Sequence, residues 1–190
     1  MSSLKNINSY SITLSDLASA ERLAHHTWLV ILHASRKPPH IGILINGLYH
    51  SLTIKGHETN VSLPILLKTI QQKKIESVFV KLKKHPVFSY DYQNEMFQWQ
   101  IKQFKQVKPN EASCLSPVKL FLFEFYAINR IENELLFELI ERLKQNDYID
   151  DALALNIPKF SQGQPFFFPI YSYSELQDVI LNEQLKFNKS

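Results

Sequence analysis

Glycine is scarce in this chain, four in 190 residues, and that scarcity removes a class of functions. Loops that cradle phosphates need several glycines close together, so neither a P-loop nor a dinucleotide fingerprint can be written. Cysteine is scarcer still. Cys114 is the only one, which excludes an internal disulfide framework and fits a reducing compartment. A structural zinc site would want a second cysteine, and no His-Glu-x-x-His helix spacing occurs, so no metal and no cofactor are expected. There is no Gly-x-Ser-x-Gly elbow of the kind serine hydrolases use. No apolar run approaches the ~20 residues that span a bilayer, so no stable membrane insertion is expected. The opening residues Met1 to Asn6 lack the basic-then-apolar layout of a secretory signal. The expected location is cytoplasmic, with secretion by a route that leaves no cleaved signal still open. An excess of one charge is also missing: 21 basic against 18 acidic residues leave a formal +3, too little to argue for a nucleic-acid partner.

What the chain does have is a core. Apolar residues make up 45% and charged residues 21%, the balance of a globular protein. The length suits one domain, residues 1–190. Within it, 1–26 reads as an N-terminal helical segment, 27–145 as the core, and 146–190 as an extension packed on it. Ser15 opens the first helix, with Leu17, Ala20, Leu23 and Ala24 at helical spacing. Thr27 to His33 is a buried strand, and Ala34 to Pro39 an exposed basic loop. Lys55 to Asn60 reads as a turn, Ser62 as the cap of a helix with Ile65, Leu66 and Ile70 inward, and Glu76 to Leu82 as a strand. Ser89 to Phe104 is a helix with Met96, Phe97, Ile101 and Phe104 on its buried stripe. The stripe from Ile131 to Leu143 makes another, and Ser174 caps the last. Phe166 to Tyr171 is an edge strand or an exposed aromatic ledge.

Two stretches carry chemistry. The first is Ala112-Ser113-Cys114-Leu115-Ser116-Pro117, leading into a helix that is apolar on nearly every side. Pro117 suits a first helical turn, and Ser113 or Ser116 can cap it. Cys114 thus sits at the mouth of a buried helix, where the dipole lowers a thiol's pKa and favours the thiolate. The second is His40-Ile41-Gly42-Ile43-Leu44-Ile45-Asn46-Gly47-Leu48-Tyr49-His50, a hairpin signalled by Asn-Gly between strand-like runs. Gly42 leaves a gap on the strand face that something bulky can approach. A two-residue turn pairs Ile45 with Leu48 and puts His40 and His50 on opposite faces. A bulged three-residue loop pairs Leu44 with Leu48 and puts both histidines on one face. Both registers are open at this level. Cysteine chemistry needs a thiolate, a base and a group that orients the base. Cys114 and His40 meet the first two needs, and His50, Thr53 or Ser51 the third. His25 and His26 read as capping or surface residues, and His85 as a loop residue.

The hairpin from His40 to His50 resembles that of the NlpC/P60 proteins, and a cysteine that follows its histidine resembles the circularly permuted, LRAT-like and PPPDE-like branch of that papain-like superfamily. The resemblance covers Thr27 to Ile54 and Ala112 to about Tyr126. It implies an α+β fold with a papain-like core, a small antiparallel sheet packed on the buried helix that carries Cys114 at its N-terminus. It also implies a cysteine peptidase, amidase or acyltransferase in which His40 is the base and His50 orients it. The substrates it suggests are a peptide, a peptidoglycan fragment or a lipid acyl group. The alternative is a non-catalytic protein that keeps the fold and binds a partner through the Phe166–Tyr171 ledge.

Overall fold

A strand covered on both faces has to be apolar at successive positions. The run Thr27–Leu32 is, and it forms the middle strand of a seven-stranded sheet. The computed structural model describes residues 10–189, so Met1 to Asn6 lie outside the described residues. The elements are β1 (Ser11–Thr13), β2 (Asp16–Leu17), α1 (Ala20–Leu23), β3 (Thr27–Leu32), β4 (His40–Ile45), β5 (Leu48–Thr53) and β6 (Gly56–Ser62). There follow α2 (Leu63–Gln72), β7 (Ser77–Leu82), α3 (Tyr90–Ile101), α4 (Leu115–Tyr126), α5 (Leu136–Gln145), β8 (Ile149–Leu155), β9 (Pro165–Phe167) and α6 (Tyr173–Phe187). The strand order is β2-β8-β7-β3-β4-β5-β6, while β1 and β9 form a separate antiparallel ribbon. In the large sheet only β2 and β8 run parallel. The fold is therefore mixed α+β, and its sheet is larger than the small antiparallel one expected.

Alternation along the strands divides the core in two. Ile41, Ile43 and Ile45 of β4 pack on one face with Phe97 of α3 and Val118 and Phe121 of α4. Leu44 of β4 and Tyr49 of β5 pack on the other with Leu63, Leu66 and Ile70 of α2 and Leu23 of α1. The hairpin closes with a two-residue turn: Ile45 pairs with Leu48, and Asn46 and Gly47 have φ of 48° and 79°. Two successive positive φ values are what a type I′ turn needs, and Asn-Gly supplies them at low cost. That turn settles the register and puts His40 and His50 on opposite faces of the sheet.

Several local expectations are corrected. Ser15 does not cap a helix: its hydroxyl donates to Asp151 (2.5 Å), and Asp16–Leu17 pairs with β8, so the helix shrinks to α1 with Ser19 as its cap. Lys55 to Asn60 is mostly strand β6. β8 was hidden because its first half is acidic; Asp150 faces Lys81 (2.8 Å) and Asp151 faces Arg22 (3.1 Å) across neighbouring elements. The helical stripe begins only at Leu136, with Ile131 left exposed. Ile65 on α2 is likewise exposed. α4 is buried on one side rather than all round, since Phe123 is 47% exposed and Phe121 is fully buried. Phe166, Phe168 and Tyr171 point inward, which leaves only Phe167 and Ile170 exposed on the expected ledge.

Candidate functional site

Cys114 occupies the N-cap position of α4, with φ −59° and ψ −22°. Its side chain makes no capping bond. The seryl neighbours take that work: Ser113 Oγ accepts from the Leu115 N–H (3.2 Å), and Ser116 Oγ accepts from the Ser113 N–H (2.9 Å). Pro117 falls in the first turn, where a missing N–H removes no helical bond. The thiol is turned toward protein, and burial pushes it up to about 11. The N–H groups of Ile41, Cys114 and Leu115 face the sulfur and pull partly the other way. This corrects the expectation of a lowered thiol pKa: the desolvation of a thiolate here outweighs the helix-terminal donors.

His40 is the first residue of β4. By strand alternation it belongs to the same face as Gly42 and Leu44, opposite α4. It nevertheless lines the same cavity as Cys114, at the end of the sheet beyond the last β4–β5 pair, Gly42 with Ser51. At that end of the sheet a cavity of about 320 Å³ is lined by His40, Cys114, Leu52, Pro38, Ile180 and Glu183 among others. The wall mixes apolar side chains such as Leu52, Pro38 and Ile180 with polar ones such as His40, Arg36, Glu58 and Glu183. Burial holds the His40 imidazole down to about 4, with smaller contributions from His33 and Arg36 in the same direction and from Glu183 against them. Among the described residues no hydrogen bond reaches either ring nitrogen, nor joins the ring to Cys114. Thiol and imidazole are therefore both neutral near pH 7, the His40 ring having its acceptor nitrogen free.

His50 does not take part, which corrects its assignment as the orienting residue. It is fully buried on the α3 side of the sheet. Its Nε2 donates to Asn94 Oδ1 (2.7 Å), and its Nδ1 accepts from the Asn60 N–H (3.3 Å), which fixes the neutral tautomer. Burial lowers it to about 4, with the Asn94 bond opposing. The hairpin hydroxyls are also committed. Thr53 Oγ1 donates to the Gly56 carbonyl (3.0 Å), and Ser51 Oγ donates to Glu58 (3.0 Å). Thr53 does line the cavity.

The bulky group that Gly42 admits is the chain's own Tyr49. A Cβ on Gly42 would fall into the Tyr49 ring and within 2.6 Å of the His50 carbonyl. Among the described residues the buried Tyr49 hydroxyl has no partner at good hydrogen-bond geometry, and burial pushes the phenol well above its ordinary range, with the Ser51 hydroxyl acting against it. Of the other histidines, His33 also lines the cavity, and His26 and His85 are engaged away from it. His26 Nδ1 shares a hydrogen bond with the Tyr90 hydroxyl (3.0 Å), and His85 Nδ1 accepts from the N–H groups of Val87 and Phe88 (3.1 and 3.0 Å). Among the described residues no group of three or more His, Cys, Asp and Glu side chains is placed to hold a metal ion.

Sequence reasoning missed Arg36 and Glu183. Arg36, in the β3–β4 loop, meets Glu183 of α6 at 3.2 Å, and both line the cavity. Nothing in the sequence pairs a loop arginine with a glutamate on the last helix. None of the helices is long and apolar enough to cross a membrane, among the described residues. Comparison with family models, with curated proteins and with solved structures gives no match for this chain.

Proposed function

We propose that this chain is a cysteine-dependent hydrolase or acyltransferase acting on an amide or ester. The observation that carries the reading is the cavity at the end of β4, whose wall holds both the sole cysteine, at a helix N-terminus, and a histidine with a free ring nitrogen. In the reaction the Cys114 sulfur attacks the acyl carbon while His40 takes the thiol proton. The C–N or C–O bond breaks, and His40 returns the proton to the leaving amine or alcohol. Water or a second nucleophile then releases the acyl group from the thioester. The N–H group of Cys114, at the positive end of α4, would serve as an oxyanion donor, while that of Leu115 is held by Ser113 Oγ. With the thiol near 11 and the imidazole near 4, the resting pair holds no thiolate. Proton transfer has to accompany attack, as general-base catalysis and not as a preformed ion pair. A papain-like, permuted NlpC/P60-type core is the family reading that goes with this chemistry; α4 packed against β4 supports it. Peptide, peptidoglycan-fragment and lipid acyl donors all fall within it.

The raised thiol is also the specific observation that favours a second reading, a binding protein whose cavity holds a small ligand without turning it over. Incubation with p-nitrophenyl acetate separates the two. The enzyme reading expects an acetyl adduct on Cys114 by intact mass, lost in Cys114→Ser and slowed in His40→Ala. Release of p-nitrophenol with no adduct on Cys114, at the same rate in both variants, contradicts it.

A further inference from the structure

The cavity reading leaves His40 without an orienting partner, since His50 is held by Asn94 and Asn60 on the other face. Two carboxylates line the cavity, Glu58 and Glu183. Glu58 is engaged by Ser51. Glu183 is engaged only by Arg36, at 3.2 Å, and each side chain of that pair is about half exposed, 53% and 43%. A half-exposed ion pair of this kind contributes little to stability, and it opens at low cost. The charged and titratable groups on the wall are His33, Arg36, His40, Glu58, Cys114 and Glu183.

We propose that Glu183 is the positioning residue for His40, held by Arg36 in the resting site and released to the imidazole when an anionic group of the substrate takes the guanidinium. The inference rests on the cysteine chemistry above and adds to it a substrate class, acyl donors that carry a carboxylate or phosphate near the reacting carbonyl. The electrostatics agree with the geometry. Glu183 pulls the His40 and His33 rings toward the protonated form, and Arg36 pushes both away from it. While the two are paired their fields largely cancel at His40. Once an anion satisfies Arg36, the carboxylate acts on His40 alone. The imidazole then becomes a stronger base at the moment the substrate is seated, which answers the mismatch between a neutral ring and a buried thiol. α6 carries Glu183 and is tied to the loop before α4 by Gln184 Nε2 on the Val107 carbonyl (2.9 Å) and Gln177 Oε1 on the Asn110 N–H (2.6 Å). These ties hold the carboxylate's backbone still while the side chain changes partner.

The test compares two alkylating probes, iodoacetate and neutral iodoacetamide. In both, the S–C bond forms, iodide leaves, and the thiol proton passes to His40. Rates on Cys114 are measured across pH 5.5 to 9 and referred to glutathione, with the His40 titration followed by NMR. The proposal expects Cys114 to favour iodoacetate relative to glutathione, and Arg36→Gln to remove that preference. Arg36→Gln should also raise the His40 titration, and Glu183→Gln should lower it, each by about 0.5, the scale left after solvent screens a half-exposed charge. Glu183→Gln should slow iodoacetamide roughly threefold, the same change expressed as a rate. A purely structural role for Glu183 would change melting without moving the His40 titration. If Glu183→Gln leaves the titration and both rates unchanged while His40→Ala still slows labelling, this inference is overturned and the cysteine reading stands. If His40→Ala does not slow labelling either, both are overturned.

Discussion

His40 and His50 stand on one hairpin with similarly lowered pKa values, both about 4, yet only one of them is free to react. His50 lies in the middle of β5, is fully buried, and has both ring nitrogens satisfied. His40 lies at the end of β4, lines a cavity that also holds Cys114, and among the described residues has neither nitrogen bonded. Burial lowers both, so the shift alone does not tell a structural histidine from a reactive one. What separates them is the partner count and the open space beside the ring. The α3 side of the sheet is closed by a run of polar contacts. Thr27 donates to Gln93 (3.1 Å), His50 to Asn94 (2.7 Å), and the Asn60 amide to Gln98 (2.9 Å). The cavity end has no such ladder.

The largest expected effect is on the closed side. His50→Ala strands the Asn94 side chain and the Asn60 N–H and opens a void under α3. It should destabilise by about 3–4 kcal/mol in chemical denaturation, with the Cys114 labelling rate unchanged wherever the protein is folded. The same site shapes the acid limb. The folded His50 pKa lies near 4 and the unfolded one near 6.5. Between those values the unfolded chain binds more protons, so stability is fully present above about 6.5 and falls as the pH drops toward 4. A single buried histidine contributes up to about 3 kcal/mol of that fall. His50→Gln should flatten the slope in a denaturation series from pH 7 to 4, and His40→Gln should flatten it by a similar amount, since its folded value is lowered to the same level.

Between the two histidines sits Gly42. Gly42→Ala drives a methyl into the Tyr49 ring and the His50 carbonyl and should cost about 1–3 kcal/mol, measured as a lowered denaturation midpoint. The smallest stability effects belong to the cavity end. Cys114→Ser and His40→Ala should each change stability by under about 1 kcal/mol, since they alter partly exposed side chains and break no hydrogen bond. A thermal melt checks this. On α4, Phe121→Ala should cost about 3–5 kcal/mol, but Phe123→Ala far less, because only Phe121 is buried.

The central strands were legible in the sequence because β-branched and apolar runs such as Val78-Phe79-Val80 have few other ways to be buried. Pro117 and Ser89 marked helix starts correctly within a residue or two. The hairpin was legible as a hairpin but not in register, since Asn-Gly serves both a tight turn and a bulged loop. That one residue of register decides which face His50 occupies. Strands near the margins were harder: β6 at one edge and β8, next to the two-residue β2 at the other, carry Glu58, Asn60, Asp150 and Asp151 and do not alternate cleanly. Phe123 read as core because a run of apolar residues hides which side of a helix meets the sheet. The thiol's raised pKa was not legible at all, because it depends on how deeply the helix mouth sinks between β4 and α6. Nor was the Arg36–Glu183 pair, which joins an early loop to the last helix.

The most direct measurement is the pH dependence of Cys114 alkylation by iodoacetamide in the wild type, His40→Ala and His50→Gln. With the thiol near 11, the wild-type rate at pH 7 should fall below that of glutathione. His40→Ala should lower it further, by roughly a hundredfold, the small end of what a positioned base supplies. His50→Gln should leave it unchanged. A rate that falls with His50→Gln and not with His40→Ala would contradict the account, because the histidine serving Cys114 would then be the one whose ring nitrogens are both held by Asn94 and Asn60.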